Sequence, residues 1–281
     1  MISGKLVLIT GASSGIGAAA AKAMAKEGAR VVLLARSEKA LAQVAGEIAS
    51  IGGMAWTYRV DLTDPKAIAA VGTQISRQLG TPDILINSAG VGKWRFVDET
   101  SPIEAVECMT VPYFAAFNIV HTFLPAMLRR KSGHIVNISS VGSKFVWPGA
   151  TAYLAARWAL AGFTQALRAD LAGSGIHVTL LEPGVVKSPY WEHNPGSRER
   201  IPKLAKLIPE LIPEEVARAI VRGVERKRRN IVIPFIMRLT CGLHAVFPGL
   251  IQWLVTKTGY RRPPLAGLRR HKSRCGIGGG N

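Results

Sequence analysis

Three glycines near the amino terminus have the spacing of a phosphate-binding turn. Gly11, Gly15 and Gly17 follow a short apolar run at residues 5–10, which predicts a buried strand. The alanine-rich stretch at 18–26 then predicts a helix. In such a strand–turn–helix unit the glycines let the backbone approach a pyrophosphate, and the helix amino terminus turns its free N–H groups toward it. The pattern therefore predicts dinucleotide binding.

The end of the second predicted strand indicates which dinucleotide binds. An acidic side chain there would accept hydrogen bonds from the adenosine ribose and favour NAD. This sequence instead has Ala35, followed by Arg36. Because a small neutral residue and a guanidinium leave room and positive charge for a 2′-phosphate, we predict NADP(H) as the cofactor. The alternative is an arginine that only begins the next helix in solvent.

Further motifs follow in a fixed order. The first strand and turn read T-G-x-x-x-G-x-G, residues 87–90 read Asn-Ser-Ala-Gly, Ser140 precedes Tyr153 by 13 residues, and residues 183–184 are Pro-Gly. This series resembles the short-chain dehydrogenase/reductase family over about residues 5–234. The resemblance implies a Rossmann-type fold, a nicotinamide cofactor and oxidoreductase activity.

The resemblance also implies which residues contact the cofactor. Residues 61–62 would contact the adenine, the small residues of 87–90 would lie close to the cofactor, and the Pro-Gly segment would lie beside the nicotinamide. The full predicted set is Gly11, Ser13, Ser14, Gly15, Ile16, Gly17, Arg36, Asp61, Leu62, Asn87, Ala89, Gly90, Tyr153, Arg157, Pro183, Gly184, Val186 and Ser188. No metal site is expected.

The catalytic positions combine two matches with two departures. The family uses a tyrosine as general acid or base and a serine that hydrogen-bonds the substrate oxygen, here Tyr153 and Ser140. A phenol has an ordinary pKa of about 10, so a nearby cation is needed to favour its ionised form near neutral pH. The family places a lysine four residues after the tyrosine, where this chain has Arg157, whose planar fork is larger than an ammonium. The family's catalytic asparagine position falls on Pro112.

Two functions are compatible with these departures. Arg157 keeps a positive charge near Tyr153, and Pro112 leaves the carbonyl of Cys108 without its helical donor, so that this carbonyl can hold a water. This reading predicts an NADP(H)-dependent oxidoreductase that interconverts an apolar, lipid-like ketone and a secondary alcohol. The alternative is a catalytically impaired NADP(H)-binding protein with a regulatory or structural role at a membrane surface.

Alternating strands and helices must position these motifs. Apolar runs predict strands at 5–10, 30–35, 54–60, 83–86, 134–138, 176–181 and 230–233, with helical stretches between them. The alternation predicts an α/β fold, a doubly wound parallel sheet of about seven strands with helices on both faces. We assign residues 1–234 to this dinucleotide-binding and catalytic domain. Within it, the proline-broken segment 190–212 is predicted to be a mobile lid over the substrate.

The C-terminal fifth of the chain carries most of the positive charge. The formal net charge is +18, and the 60 residues from Arg222 onward hold 13 lysines and arginines against one acid. Residues 239–256 contain no Lys, Arg, Asp or Glu, but this run is shorter than the roughly 20 residues that span a bilayer. An apolar segment with cationic flanks suits an anionic membrane interface. Alternatively, residues 235–262 roof the substrate pocket or pack on another subunit; the tail 263–281 is predicted to be disordered.

Composition also bears on location and partners. The first predicted strand begins at Lys5, which leaves no room for a signal peptide, and three cysteines without metal-ligand spacing suit a reducing compartment. We therefore expect a cytoplasmic protein, which would lie at a membrane surface if residues 235–262 form the membrane-interface segment. The absence of a module that interleaves aromatic and basic residues argues against nucleic acid as a partner. The family resemblance implies a homodimer or homotetramer.

Overall fold

Seven parallel strands form one sheet in a computed structural model, which describes residues 1–262. The strands are β1 (Leu6–Thr10), β2 (Arg30–Ala35), β3 (Met54–Arg59), β4 (Ile84–Asn87), β5 (Gly133–Ile138), β6 (Ile176–Pro183) and β7 (Asn230–Ile233). Their order is β3-β2-β1-β4-β5-β6-β7, with every neighbouring pair parallel. The order reverses between β1 and β4, and a ligand crevice forms at such a switch point, beyond the carboxyl ends of the strands. The predicted doubly wound fold is confirmed.

Helices cover both faces of this sheet. They are α1 (Gly15–Lys26), α2 (Glu38–Ser50), α3 (Pro65–Gln78), α4 (Pro102–Met109), α5 (Ala115–Arg129), α6 (Thr151–Asp170), α7 (Tyr190–His193), α8 (Pro213–Glu225), α9 (Phe235–Val246) and α10 (Pro248–Thr258). Helices α1, α2 and α8 share one apolar core with the sheet, and α3, α5 and α6 share the other. Strands buried on both faces explain why β1 and β2 are continuous apolar runs rather than alternating ones.

The helical region before β5 is interrupted at the proline that the sequence places there. A π-helical segment, Thr110–Phe114, separates α4 from α5 and contains the buried Pro112. Ala115 donates its N–H to the carbonyl of Thr110, five residues back. By length and composition alone the run Pro102–Arg129 would be able to cross a membrane. Since α5 buries Phe123 and Met127 in the core beside the sheet, it is a core helix here.

The extension after β7 forms two short helices, α9 and α10, which we call the C-terminal hairpin (residues 235–258). Pro248 begins α10, so the uncharged run of the sequence is divided between two helices instead of forming one. The side chain of Gln252 donates to the carbonyl of Val146 at 2.8 Å, and Arg262 makes two hydrogen bonds to the carboxylate of Asp98. These contacts attach the hairpin above the carboxyl ends of the strands. The predicted tail, 263–281, lies outside the described residues.

Candidate functional site

A cavity of about 1080 Å³ lies at the carboxyl ends of the strands. Every predicted site residue lines it except Asn87. One end is formed by the glycine turn and Arg36, and the middle by Tyr153 and its neighbours. The far end is formed by residues of the C-terminal hairpin and of the segment that follows α7.

The glycine turn between β1 and α1 has the shape of an anion cradle. Gly11 and Gly15 have φ values of +65° and +53°, which favour glycine. At Gly17 a Cβ atom would lie 2.2 Å from the carbonyl oxygen of Gly11, so no side chain fits there. Ser14 precedes α1 without a capping hydrogen bond from its side chain, which leaves its hydroxyl and the first N–H groups of the helix available. These groups fit a pyrophosphate.

Charge at the next part of the cavity comes from Arg36 and Asp61. The Asp61 carboxylate accepts hydrogen bonds from the N–H and the hydroxyl of Thr63, each at 2.9 Å. These two bonds lower the pKa of Asp61, and the positive charge of Arg36 adds to the effect. Arg36 is exposed and lines the cavity, while Ser37 beside it caps α2. This end of the cavity therefore carries an exposed cation next to the glycine turn.

Arg157 is a buried cation held between the tyrosine ring and a glycine. Its guanidinium carbon lies 4.8 Å from the centre of the Tyr153 ring. On the other side, a Cβ atom at Gly90 would lie 2.8 Å from a terminal guanidinium nitrogen. The Nε atom of Arg157 is buried and has no hydrogen-bond partner within residues 1–262. A buried donor without a partner fits a site that is completed by a polar ligand.

The hydroxyl of Ser140 can donate a hydrogen bond to a ligand. Its Oγ accepts a hydrogen bond from the N–H of Gly142 at 3.1 Å, so the hydroxyl proton remains available to a substrate oxygen. The hydroxyl oxygen of Ser143 lies 2.7 Å from the carbonyl oxygen of Ser140 and also contacts the carboxylate of Glu182. Glu182 is fully buried and lies 3.4 Å from the ammonium of Lys144. This buried carboxylate therefore fixes the loop that carries Ser140.

Comparison with known proteins agrees with this geometry. The family model for short chain dehydrogenases matches residues 5–198. The chain belongs to the short-chain dehydrogenase/reductase family. A fatty acyl-CoA reductase from Acinetobacter baylyi is 35% identical over 251 residues, which are 89% of this chain and 82% of that protein.

Two further proteins are also similar to this chain. The ketoacyl reductase HetN from Nostoc sp. is 32% identical over 232 residues, covering 83% of this chain and 79% of that protein. A metagenomic short-chain oxidoreductase solved in complex with NADP is 32% identical, with a TM-score of 0.69. That match covers 82% of this chain and 97% of the solved one.

In this short-chain dehydrogenase/reductase, an aromatic cluster that sequence reasoning missed surrounds Tyr153. Trp94 lies 5.1 Å from its ring, Tyr190 6.3 Å and Trp147 6.5 Å. Tyr190 donates to the carbonyl of Gly92 at 2.5 Å and accepts from Trp94 Nε1 at 3.1 Å. Burial, and then the proximity of Tyr153, raise the pKa of Tyr190 well above its ordinary value. Tyr190 is therefore held in place by these hydrogen bonds, beside the ring of Tyr153.

Asn87 and Pro112 have positions that the sequence did not reveal. The Asn87 side chain donates to Asn137 at 2.8 Å, and Asn137 donates to Thr164 at 2.9 Å. This buried chain links β4, β5 and α6 behind the cavity rather than lining it. Pro112 is likewise buried outside the lining, which receives Cys108 and Val111 from the same helical run. The role of a water at the Cys108 carbonyl stays a prediction.

The predicted lid lies over the middle and the far end of the cavity. It comprises α7 and two 3₁₀ turns, Arg198–Arg200 and Lys203–Leu207. Arg200 joins it to Glu99 in an ion pair of 2.6 Å. The apolar residues that line this end are Leu204, Ala205, Ile208, Met237, Leu243, Ile251, Leu254 and Val255. Beyond Tyr153 the cavity is thus lined mainly by apolar side chains.

Proposed function

We propose that this protein is an NADP(H)-dependent oxidoreductase that interconverts an apolar, lipid-like ketone and a secondary alcohol. The observation that carries the proposal is the continuity of one cavity. It begins at the glycine turn and Arg36, passes Tyr153 and Arg157, and ends against the apolar hairpin. The names of the two reductases of acyl compounds among its relatives support a substrate with an alkyl chain.

The cofactor would bind along the polar end of the cavity. The glycine turn and the amino terminus of α1 would hold the pyrophosphate, and Arg36 would pair with the 2′-phosphate. The solved relative with bound NADP supports this choice. When bound, the nicotinamide supplies or accepts the hydride.

The protein's own groups would handle the proton and the substrate oxygen. In the direction of reduction, Ser140 donates a hydrogen bond to the carbonyl oxygen and Tyr153 transfers its phenolic proton to that oxygen. The tyrosine then carries a negative charge beside the guanidinium of Arg157, which stabilises it. In the direction of oxidation the phenolate takes the proton back from the alcohol. Trp94 is buried, and Trp147 and Tyr190 are partly buried beside it, so this aromatic cluster would keep bulk water from this step.

Self-association through α5 and α6 is part of the proposal. These helices expose Phe117 and Trp158, with exposed fractions of 43% and 49%, and Phe114 lies beside them in the π segment. Of the small residues of α6, Ala155 and Ala166 face outward, while Ala156 and Ala161 are buried in the subunit. An apolar face with small residues suits close packing against a second copy around a twofold axis. A homodimer or homotetramer is the expected assembly.

A turnover assay tests the proposed activity. Purified protein and NADPH are mixed with aliphatic and steroid-like ketones of increasing chain length, and NADPH oxidation is followed by absorbance. We expect turnover, with KM falling as the alkyl chain lengthens because each buried methylene contributes about 0.8 kcal/mol at most. Binding of NADPH without oxidation across the whole panel would instead favour the alternative function, a binding protein at a membrane surface.

A further inference from the structure

The C-terminal hairpin is apolar on both of its faces. In α9 the inward stripe contains Met237 and Cys241, which pack in a small core with Phe145. The outward stripe, spaced by three, four and three residues, is Ile236, Leu239, Leu243 and Val246. A helix on the surface of a soluble protein usually has a polar outward face. The outward stripe is therefore unexplained by packing within the described chain.

The outward stripe belongs to a larger exposed surface, which we call the apolar platform (residues 204, 207, 236, 239, 243, 246, 247, 250 and 253). Val246 is 68% exposed, and Leu250 and Trp253 in α10 are 56% and 55% exposed. The 3₁₀ turn Lys203–Leu207 packs beside α10 and adds Leu207, which is 80% exposed. An exposed surface with so many large apolar side chains is typical of a site that binds a membrane or another protein.

Positive charge surrounds the apolar platform. Lys203 and Lys206 flank Leu204 in the 3₁₀ turn, while Arg238 and Lys257 lie in α9 and α10; all four are exposed. No acidic residue follows Glu225 in the sequence. An apolar face with a cationic border complements the apolar interior and the anionic headgroups of a lipid leaflet. A second copy of this chain would bring the same positive charge, which opposes pairing through this face.

The cavity reaches the apolar platform. Leu204 and Leu243 line the cavity, yet they are 39% and 53% exposed, so they lie at its mouth. Ile251 and Leu254, on the inward side of α10, continue the apolar lining from this mouth toward the site of Tyr153. An apolar molecule can pass from the platform to the reacting end without contact with a charged side chain of the hairpin.

We infer that the apolar platform docks on an anionic lipid bilayer and that the substrate passes from the bilayer through the Leu204–Leu243 mouth into the cavity. Docking rests on the platform alone, whereas the substrate route rests on the proposed function. The hairpin would lie in the interface with its axes near the membrane plane, because neither helix is long enough to span the hydrocarbon core. The body of the protein would remain in water.

Vesicle flotation tests the docking. The full chain is mixed with vesicles of phosphatidylcholine alone or with added phosphatidylglycerol. We expect binding to the anionic vesicles that weakens in high salt. The double variant Val246→Glu/Leu250→Glu, whose side chains do not line the cavity, should bind at least about tenfold more weakly because two charges oppose insertion. Ile51→Glu is the matched control: Ile51 is 54% exposed and lies before β3, at the opposite edge of the sheet.

The outcomes separate docking from activity. The wild type, the double variant and the control are compared on a short water-soluble ketone and on a long-chain ketone held in the vesicles. We expect equal rates on the soluble ketone and a loss of about tenfold for the double variant on the vesicle-held one, matching its lost binding. Wild type that turns over the soluble ketone but does not float with anionic vesicles overturns the docking alone. Flotation without turnover of either ketone overturns the proposed function and leaves docking standing.

Two further results would also overturn the inference. If the double variant floats as well as wild type, the platform is not the docking surface. If wild type does not float and light scattering shows that the double variant dissociates an assembly, a second copy covers the platform instead. NADPH affinity and the thermal midpoint, measured on each variant, establish that the substitutions leave the fold intact.

Discussion

The guanidinium of Arg157 lies over the ring of Tyr153, with its carbon 4.8 Å from the ring centre. The two residues are one turn apart on α6, and both side chains are buried. The family pattern has a lysine at position 157, which would bring a compact ammonium on a flexible stem. The arginine brings a flat cation that lies over the ring and leaves no room for a side chain at Gly90. The positive charge that a tyrosine acid/base requires is thus retained in a different shape.

Substitution of Arg157 tests this electrostatic role. Arg157→Ala should lower kcat by about a hundredfold because the phenolate of Tyr153 loses its cation. Arg157→Lys should keep most of the turnover, since it retains the charge. Steady-state rates and NADPH affinities of the wild type and the two variants show whether Arg157 acts through its charge. If the lysine variant is as slow as the alanine variant, the stacked guanidinium shape, rather than its charge, is what the site needs.

Arg36 is expected to select the cofactor. Arg36→Ala should weaken NADPH binding by about tenfold or more and leave NADH binding nearly unchanged, because only the 2′-phosphate loses a partner. Calorimetric titration of both cofactors measures the preference. Arg77→Ala removes an exposed arginine of α3 outside the cavity and should change neither affinity. Equal affinities of the wild type for NADPH and NADH would refute the assignment.

Acid should destabilise the fold through His134. Burial, with the nearby charges of His177 and Lys227, lowers the pKa of His134 from 6.5 to about 4. Between these values the unfolded chain binds a proton that the folded protein does not, so falling pH favours unfolding. Because of this residue, the free energy of unfolding falls by about 3 kcal/mol by about pH 4. The stabilising contribution is therefore fully present above about pH 6.5.

Denaturant unfolding at several pH values measures this effect. His134 Nε2 contacts the hydroxyl of Thr179 at 2.7 Å, and that hydroxyl donates to the carbonyl of Arg228, so His134 must be the donor to it. His134→Gln keeps a donor without the titration and should flatten the pH dependence. The matched control is His121→Gln, at an exposed position of α5. A slope that is unchanged in the His134 variant would show that other groups cause it.

The proposed assembly through α5 and α6 is expected to be visible in solution. Light scattering at micromolar concentration should give the mass of a dimer or tetramer. Trp158→Glu places a charge on the exposed face of α6 and should shift the protein toward monomers. Ile51→Glu, on the far edge of the sheet, should not. A monomeric wild type would refute this part of the proposal.

Local patterns were sufficient to predict the fold, and the family resemblance implied the site residues, all of which line the cavity except Asn87. Branched apolar runs identified the strands because a parallel sheet buries both faces of each strand. The glycine turn was predictable because its φ values and the close approach at Gly17 exclude other residues. Asp64, a residue type that commonly caps helices, precedes α3 and accepts a hydrogen bond from the N–H of Lys66 through its side chain.

Contacts between distant parts of the chain were not predictable. Trp94 and Tyr190 contact Tyr153 only after three separate segments pack together. The spacing of residues in the sequence does not predict this contact. Asn87 was expected at the cofactor because of its motif, but its amide instead bonds Asn137 on the neighbouring strand. Glu182 was visible only as the residue before Pro-Gly. Its contact with Ser143, and hence its effect on the loop of Ser140, depends on tertiary structure.

The rate of the Tyr153→Phe variant tests the central claim most directly. Phenylalanine keeps the ring that packs against Arg157 and Trp94 but removes the proton that reduction requires. With a ketone that the wild type reduces, the variant should lose between about a hundredfold and ten-thousandfold in kcat while NADPH affinity stays nearly the same. A variant that retains the wild-type rate on that ketone would contradict the assignment of Tyr153 as the acid/base.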